Sequence, residues 1–321
     1  MAVTDRSIID NASTTFKELS GNVFGSNTPP GVYKDFAQVF QTDSKIVEHD
    51  VLEAMPVARE WVGPKQYGDA QAASTTLTIK PYEASFKIKR LDLLTDRTGI
   101  VGRRMATWLG DTAYIYDDIA HTVLFANPTG YDGVALFATT HPRGPSGNNQ
   151  SNTTTSALSF STFDTAMQTG ASLRDANGRP LMISYNKLIV GPKLAATARE
   201  ITGSNERIVA VADDGLEAGT RVAAAALPNQ KGIQIFTGGS LDVVVDPRMP
   251  LGGTQDDYWY LIDTTRGASP IVGYEFRGPE AITQDRMEDP ARFDSDEFKY
   301  SIECDVIFGA GVWQVAYAGI L

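Results

Sequence analysis

Three histidines, His49, His121 and His141, one cysteine and a scatter of carboxylates carry whatever chemistry this chain has. Asp117 and His121 lie four residues apart, a spacing that puts both on one helical face. With His141 they would be the start of a metal-dependent hydrolytic site. Such a site needs at least one more ligand in reach, and no metal-ligand motif such as HExxH accompanies the pair. An ion pair on a helix surface is the simpler role. His141 and Pro142 follow a strand-like run and border a loop, where a structural hydrogen bond is expected before acid–base work. Cys304 lies in an alternating apolar run with no base nearby in sequence, so it is expected to pack, and a single cysteine excludes an intramolecular disulfide. GxSxG, P-loop and GxGxxG patterns are absent, and Gly238-Gly239 and Gly252-Gly253 read as turns. These residues predict neither catalytic groups nor a metal or cofactor.

The Asp117–His121 pair sits on the most regular stretch of the chain, residues 100–127. Apolar residues recur there at Val101, Met105, Trp108, Ile115, Tyr116, Ile119 and Val123, mostly three or four apart, with Arg103, Arg104, Asp111 and Asp118 on the opposite side. This predicts one amphipathic helix, a spine about 40 Å long at roughly 1.5 Å per residue. Asp96 or Thr98 is placed to cap its start, and Asn127-Pro128 to end it, because proline cannot continue a helix.

At 321 residues, 42% hydrophobic and 21% charged, the chain has material for a sizeable core. No apolar run reaches the roughly 18 to 20 residues that span a bilayer, and the start lacks a basic region followed by an apolar one, so synthesis inside the cell is expected. A net charge of −11 and a pI of about 4.8 argue against a surface built to neutralise phosphates.

Residues 1–48 mix Asn, Ser, Thr and Gly with single aromatics at Phe16, Phe24, Tyr33, Phe36 and Phe40. Apart from a helical candidate over residues 8–19, this arm gains order only by lying on something, its own domain or a neighbour. Residues 55–92 read as a long hairpin with a polar tip at 68–74; Phe86 and Ile88 alternate with Lys87 and Lys89. GYDGVALFATTHP looks like a short hairpin, and RGPSGNNQSNTTTS a polar loop with no reason to pack. A compact α+β region follows: a helix near 163–173 capped by Ser161-Thr162, a buried strand in LMISYNKLIVG, a helix at 192–201, and strands near 233–236, 241–245 and 258–263. Near the end, Tyr300, Ile302, Cys304, Val306 and Phe308 alternate with polar residues, the signature of a long strand with one wet face. The 55–92 stretch is net basic, with six basic residues against four acidic from Pro56 to Asp92. Glu275 to Asp305 is net acidic, ten against four. Opposite biases of this kind suit head-to-tail self-association, although a charge run is more often a solvated face.

This order of parts resembles the major capsid proteins of tailed bacteriophages, the Hong Kong 97 fold, and more narrowly the Mu-like major head subunit group. The matching stretches are REWVGPKQY from Arg59, SFKIKRLDLLTDRTGI, GVALFATTHP ending at Pro142, and FKYSIECDVIFGAGVW. The resemblance implies an α+β capsid fold with an N-arm at 1–54, an extended β-hairpin loop at 55–92, a peripheral domain at 93–157 and 266–321 holding the spine helix, and an axial domain at 158–265. It implies self-assembly into hexamers and pentamers of an icosahedral shell around double-stranded DNA, which an acidic wall would let slide.

Inter-subunit contacts are then expected from Lys65, Tyr67, Phe86, Lys87, Lys89 and Arg90 of the extended loop and from the arm aromatics Phe16, Phe24, Tyr33, Phe36 and Phe40. Glu288, Asp289, Asp294, Asp296 and Glu297 would supply the acidic partner surface. The further partners implied are a portal protein, a separate scaffold or maturation protease, and a decoration protein. The place of action would be the virion capsid, assembled in the host bacterial cytoplasm, with no membrane. The arm begins almost at once after the initial Met, which favours a separate scaffold; no crosslinking signature accompanies Lys65 or Lys80. A capsid-like encapsulating compartment is the related alternative, and it would need a cargo motif that the sequence does not show.

Overall fold

The computed structural model describes residues 14, 16–21, 24, 29–54, 60, 62, 63, 71–96, 99–143, 148–175, 177–203, 241–249, 253–284 and 295–320. Two sheets dominate it. The first has the order β1-β11-β12-β4: β1 (Ala37–Gln41) runs parallel to β11 (Ile271–Gln284), which pairs antiparallel with β12 (Glu297–Ala310), and β4 (Lys80–Lys89) closes the order. The second has five strands in the order β7-β13-β10-β8-β9, from β7 (Thr153–Thr154), β8 (Lys187–Val190), β9 (Asp242–Val245), β10 (Trp259–Ile262) and β13 (Ala316–Gly319).

The alternation read in β12 holds, with Tyr300, Ile302, Cys304, Val306 and Phe308 all buried. The expected hairpin over 55–92 does not form. The ribbon is made instead by β2 (Ile46–Ala54) and β3 (Gln71–Thr78), paired antiparallel from Ile46↔Thr78 to Ala54↔Gln71. Strand β4 leaves β3 across Ile79 and pairs with β12 over ten residues. The apolar alternation of 84–91 is the same in either pairing, and the first sheet offers it far more surface. One face of the ribbon leans on this sheet, where Gly309 leaves room for the Leu77 side chain that any Cβ would displace.

The spine is two helices rather than one. Helix α2 (Ile100–Thr112), preceded by the short α1 (Arg90–Leu94), is separated from α3 (Ile115–Ala126) by a turn at Ala113 and Tyr114. Each half faces its own core. Met105 and Leu109 of α2 join Phe16, Leu93, Phe298, Tyr300 and Ile302; Tyr116, Ile119, Ala120 and Leu124 of α3 join the large core, which residues of both sheets line. One straight helix cannot aim its stripe at both, and Gly110 weakens the helix just where direction changes. Asp96 caps α2 as expected, its carboxylate accepting from the N–H groups of Ile100 (3.1 Å) and Val101 (2.8 Å). Asn127 ends α3 in the left-handed conformation and clamps both backbone groups of Phe137.

In the second half, α4 (Phe160–Ser172) starts earlier than expected. Its cap is Ser159, in a reciprocal box with Thr162. A 3-10 turn at Pro192–Leu194 leads into α5 (Ala195–Gly203), and only Lys187–Val190 of LMISYNKLIVG is strand. The candidate strand at 233–236 and residues 1–13 of the arm lie outside the described residues.

The polar loop after His141 is the clearest departure. Part of it forms β5 (His141–Arg143) and β6 (Asn148–Gln150), and Asn152 is fully buried. Its side-chain oxygen accepts from the Ala138 N–H (2.9 Å), and its amide donates to the carbonyls of Leu136 (2.8 Å), Trp313 (3.2 Å) and Ala316 (3.3 Å). This ties the segment after the spine to the C-terminal strand. Asn152→Ala is expected to cost about 3 kcal/mol of unfolding free energy, because buried carbonyls lose their donor. Asn152→Asp, which has no N–H to give, is expected to cost at least as much; urea melts of both variants measure it.

Candidate functional site

Asp117 and His121 do come together with further charged groups, but as a buried structural cluster. Asp117 is fully buried and its carboxylate accepts from the Tyr33 backbone N–H at 2.6 Å. Its other oxygen faces Arg248 at 3.1 Å. Arg248 also pairs with Asp118 at 2.8 Å and lies over the Tyr114 ring at 4.7 Å. The His121 ring contacts the Asp117 carbonyl through Nδ1 (2.6 Å) and the buried Asp246 carboxylate through Nε2. Burial disfavours the imidazolium, yet the hydrogen bond and charge of Asp246, with Asp117 behind, raise the His121 pKa above the ordinary imidazole value.

Both His121 nitrogens are spent on these neighbours. His141 is held elsewhere, by Asp132 (2.6 Å) and the Asn152 side chain (3.2 Å), stacked on Trp313 with ring centroids 4.0 Å apart. The Asp117, His121 and His141 hydrolase site is therefore not assembled, and among the described residues no group of three or more side chains is arranged to hold a metal. Cys304 is buried, and burial, with Asp305 and Glu275 nearby, pushes its thiol up to about 12, far from a nucleophile's range. His49 contacts the Tyr274 hydroxyl (2.8 Å), pinning the ribbon to the first sheet.

The expected contact residues meet different fates. Phe16 is fully buried within its own chain, ringed by Tyr300 (5.0 Å), Trp108 (6.3 Å) and Phe86 (6.4 Å). Tyr33 and Phe36 are likewise in the large core, and Phe24 packs on the smaller one. Phe16, Tyr33 and Phe36 are thus buried on the chain's own cores, whereas Phe24 and Phe86 are only half-buried there. Phe40 keeps partial exposure and stacks on Tyr274.

The basic and acidic segments meet inside one chain. Strand β4 lies beside β12, so Lys87 pairs with Glu297 at 3.0 Å and Arg90 with Asp296 at 2.9 Å. The Lys87 hydrogen bond holds the Glu297 carboxyl below the usual carboxylate range against the opposing effect of burial, with Ser295 and Lys299 adding to it. The charge complementarity read as a device between subunits is thus met within the subunit at these positions, while Lys89 is exposed. Lys65, Tyr67, Glu288, Asp289 and Asp294 lie outside the described residues. Sequence reasoning missed Asp246, Arg248 and Asn152, each of which has a partner more than 120 residues away in the chain that leaves no local pattern.

What remains is a scaffold with two cores, an exposed ribbon and no assembled catalytic group among the described residues, and relatives agree with that description. The phage capsid protein family model matches residues 71–319. The major capsid protein of Escherichia phage Mu is 21% identical over 321 residues, covering 99% of this chain and 75% of that protein. The Mu-like prophage FluMu major head subunit of Haemophilus influenzae is 33% identical over 67 residues, 21% of this chain and 22% of that one. Among solved structures, the procapsid of bacteriophage JBD30 superposes with a TM-score of 0.53 at 20% identity, covering 98% of this chain and 75% of that one. The capsid of cyanophage P-SCSP1u gives 0.55 at 11% identity, covering 90% and 88%. These likenesses place the fold among Hong Kong 97-type capsids. The chain belongs to the phage capsid protein family and is a structural subunit of the virion shell, not an enzyme.

Proposed function

We propose that this capsid subunit closes its icosahedral shell by forming hexamers and pentamers around double-stranded DNA, and that the β2–β3 ribbon with its connecting residues 55–70 is the extended loop that reaches an adjacent subunit. One observation carries the second part. The ribbon's inner face, Val47, His49, Val51, Ala73, Thr75 and Leu77, rests on its own first sheet, while the outer-face residues Ile46, Glu48, Asp50, Ser74, Thr76 and Thr78 are all exposed. A two-stranded ribbon is marginal alone and presents unpaired edges, so a partner surface is the natural complement. Residues 29–41 then act as the inner part of the N-arm, the spine halves with β4, β11 and β12 as the peripheral domain, and the β8–β9–β10 side with α4 and α5 as the axial domain.

The net charge of −11 supports a container that repels packed DNA and does not hold it. Among the described residues no helix is long and apolar enough to cross a membrane. A portal protein, a scaffold or maturation protease, a decoration protein, and assembly in the host bacterial cytoplasm complete the reading by analogy with the family.

Size-exclusion chromatography with negative-stain electron microscopy of the expressed chain is expected to show rings of five or six, tubes or closed shells; a small, well-defined dimer or tetramer would overturn the assembly reading. Val62, 76% exposed between the ribbon strands, and Ile46, 58% exposed, offer a direct probe of the loop. Val62→Asp and Ile46→Asp are expected to leave the subunit melt unchanged and to reduce particle yield several-fold.

Lys87→Glu and Lys89→Glu separate folding from assembly. The first sets two carboxylates together and is expected to lower subunit stability by up to about 1 kcal/mol. The second is expected to leave stability unchanged and to reduce assembly if Lys89 faces a neighbour. A Lys89→Glu subunit that assembles normally would remove Lys89 from the contact surface.

A further inference from the structure

His121 holds an arrangement beside the large core that depends on a proton. Its Nδ1 faces a carbonyl oxygen, that of Asp117 at 2.6 Å, and its Nε2 faces a carboxylate oxygen of Asp246. Both of those atoms are acceptors. A neutral imidazole has a single N–H and can satisfy one of them, leaving a ring lone pair against the other; only the imidazolium donates to both. The elements involved are distinct: His121 and Asp117 ride on α3, whereas Asp246 and Arg248 follow β9 of the second sheet.

The groups around His121 come from every side. From its own helix come the Asp117 carboxylate at 3.8 Å, Asp118 one residue further on, and the Phe125 ring with its centroid 5.8 Å away. From beyond β9 come Asp246 and Arg248, the latter bound to Asp117 and Asp118. The arm brings the Phe36 ring edge-on at 4.9 Å and Tyr33, whose backbone N–H holds Asp117 and whose phenol is pushed up by burial and by Asp117. Two buried carboxylates, Asp117 and Asp246, thus stand among two cations when His121 is protonated, with the exposed Asp118 on the outer side of Arg248. Loss of the His121 proton leaves Arg248 as their one cation among the described residues.

We propose that His121 is a proton-operated lock between the second half of the spine and the second sheet, closed while the imidazolium bridges Asp117 and Asp246 and released when the proton leaves. The direction follows from the environment. A group whose pKa is raised on folding contributes its full stability below the unfolded value of about 6.5, and the contribution disappears as pH climbs through the folded value. The lock is therefore held in mild acid and weakens towards alkaline pH. The cluster joins α3 to the segment that follows β9 of the second sheet.

The test uses the full chain. Its thermal midpoint is expected to fall by several degrees between pH 6 and pH 9, and His121→Gln is expected to flatten that fall, because glutamine satisfies one neighbour at any pH. His49 and His141 stay in place in the variant, so their contributions cancel in the comparison. Hydrogen exchange corrected for the intrinsic rate is expected to show residues 115–126 and 242–249 losing protection together over the same range. Should the variant fail to fold, NMR titration of ring-labelled histidine in the unaltered chain reads the same property, with three resonances to follow. A histidine titrating above 6.5 whose protonation tracks the loss of protection supports the lock. Equal slopes in both chains, or no histidine titrating above 6.5, overturn it.

Discussion

A carboxylate with no access to water must be met by charge or by donors, and Asp117 is where this chain satisfies that requirement. Left unpaired, a buried charge would cost several kcal/mol, so the surrounding elements are constrained to deliver partners. The arm delivers the Tyr33 N–H, and it can approach only because residue 31 is glycine, held at φ 150°, where a Cβ would stand 2.6 Å from the Asp117 carboxylate. The second sheet delivers Arg248 and, through Asp246, the second hold on His121. One side chain on α3 thereby fixes the arm and the second sheet to the spine.

Around that point the rest of the architecture is apolar and cooperative. Tyr33 and Phe36 continue from the Asp117 contact into the large core, and Phe36 hands the chain to β1, which joins the first sheet through a parallel ladder with β11. Glu275 is buried beside this junction, accepting from Tyr116 and from Gln41. The smaller core, under the first half of the spine, is largely aromatic: Phe86 with Trp108 at 4.5 Å and with Tyr300 at 5.2 Å, and Phe16 against both. Such ring pairs contribute roughly 0.5–1.5 kcal/mol each beyond the area they bury. The break at Ala113 and Tyr114 lets the two cores be served by two helix faces.

For a shell subunit the consequence is a division of labour. Most of the arm's described aromatics pack within the chain, as do the Lys87–Glu297 and Arg90–Asp296 pairs, so they hold the subunit together whether or not it is assembled. The outer face of the ribbon stays exposed, the surface proposed for association. Individual contacts between subunits need only be modest, because closure of a shell makes later contacts effectively intramolecular and adds many of them.

Periodicity carried the local elements. Alternation marked β12, three-and-four spacing marked both halves of the spine, and the Asp96 and Asn127 stops were legible because capping is a property of adjacent residues. The absence of catalytic motifs pointed away from an enzyme, the acidic charge away from a surface that neutralises phosphates, and the order of elements towards a capsid. Pairing was not legible in the same way. Residues 80–89 alternate identically whether their partner is β3 or β12, and competition for buried area across the whole chain chose β12. That choice turned an expected contact between subunits into the Lys87–Glu297 and Arg90–Asp296 pairs. Asn152 reads as one more polar residue in a polar loop until Leu136, Trp313 and Ala316 close around it, and His121 reads as a surface histidine until Asp246 arrives from 125 residues away. A local pattern states which face a residue prefers; which group waits on the other side is decided only when distant segments share one interior.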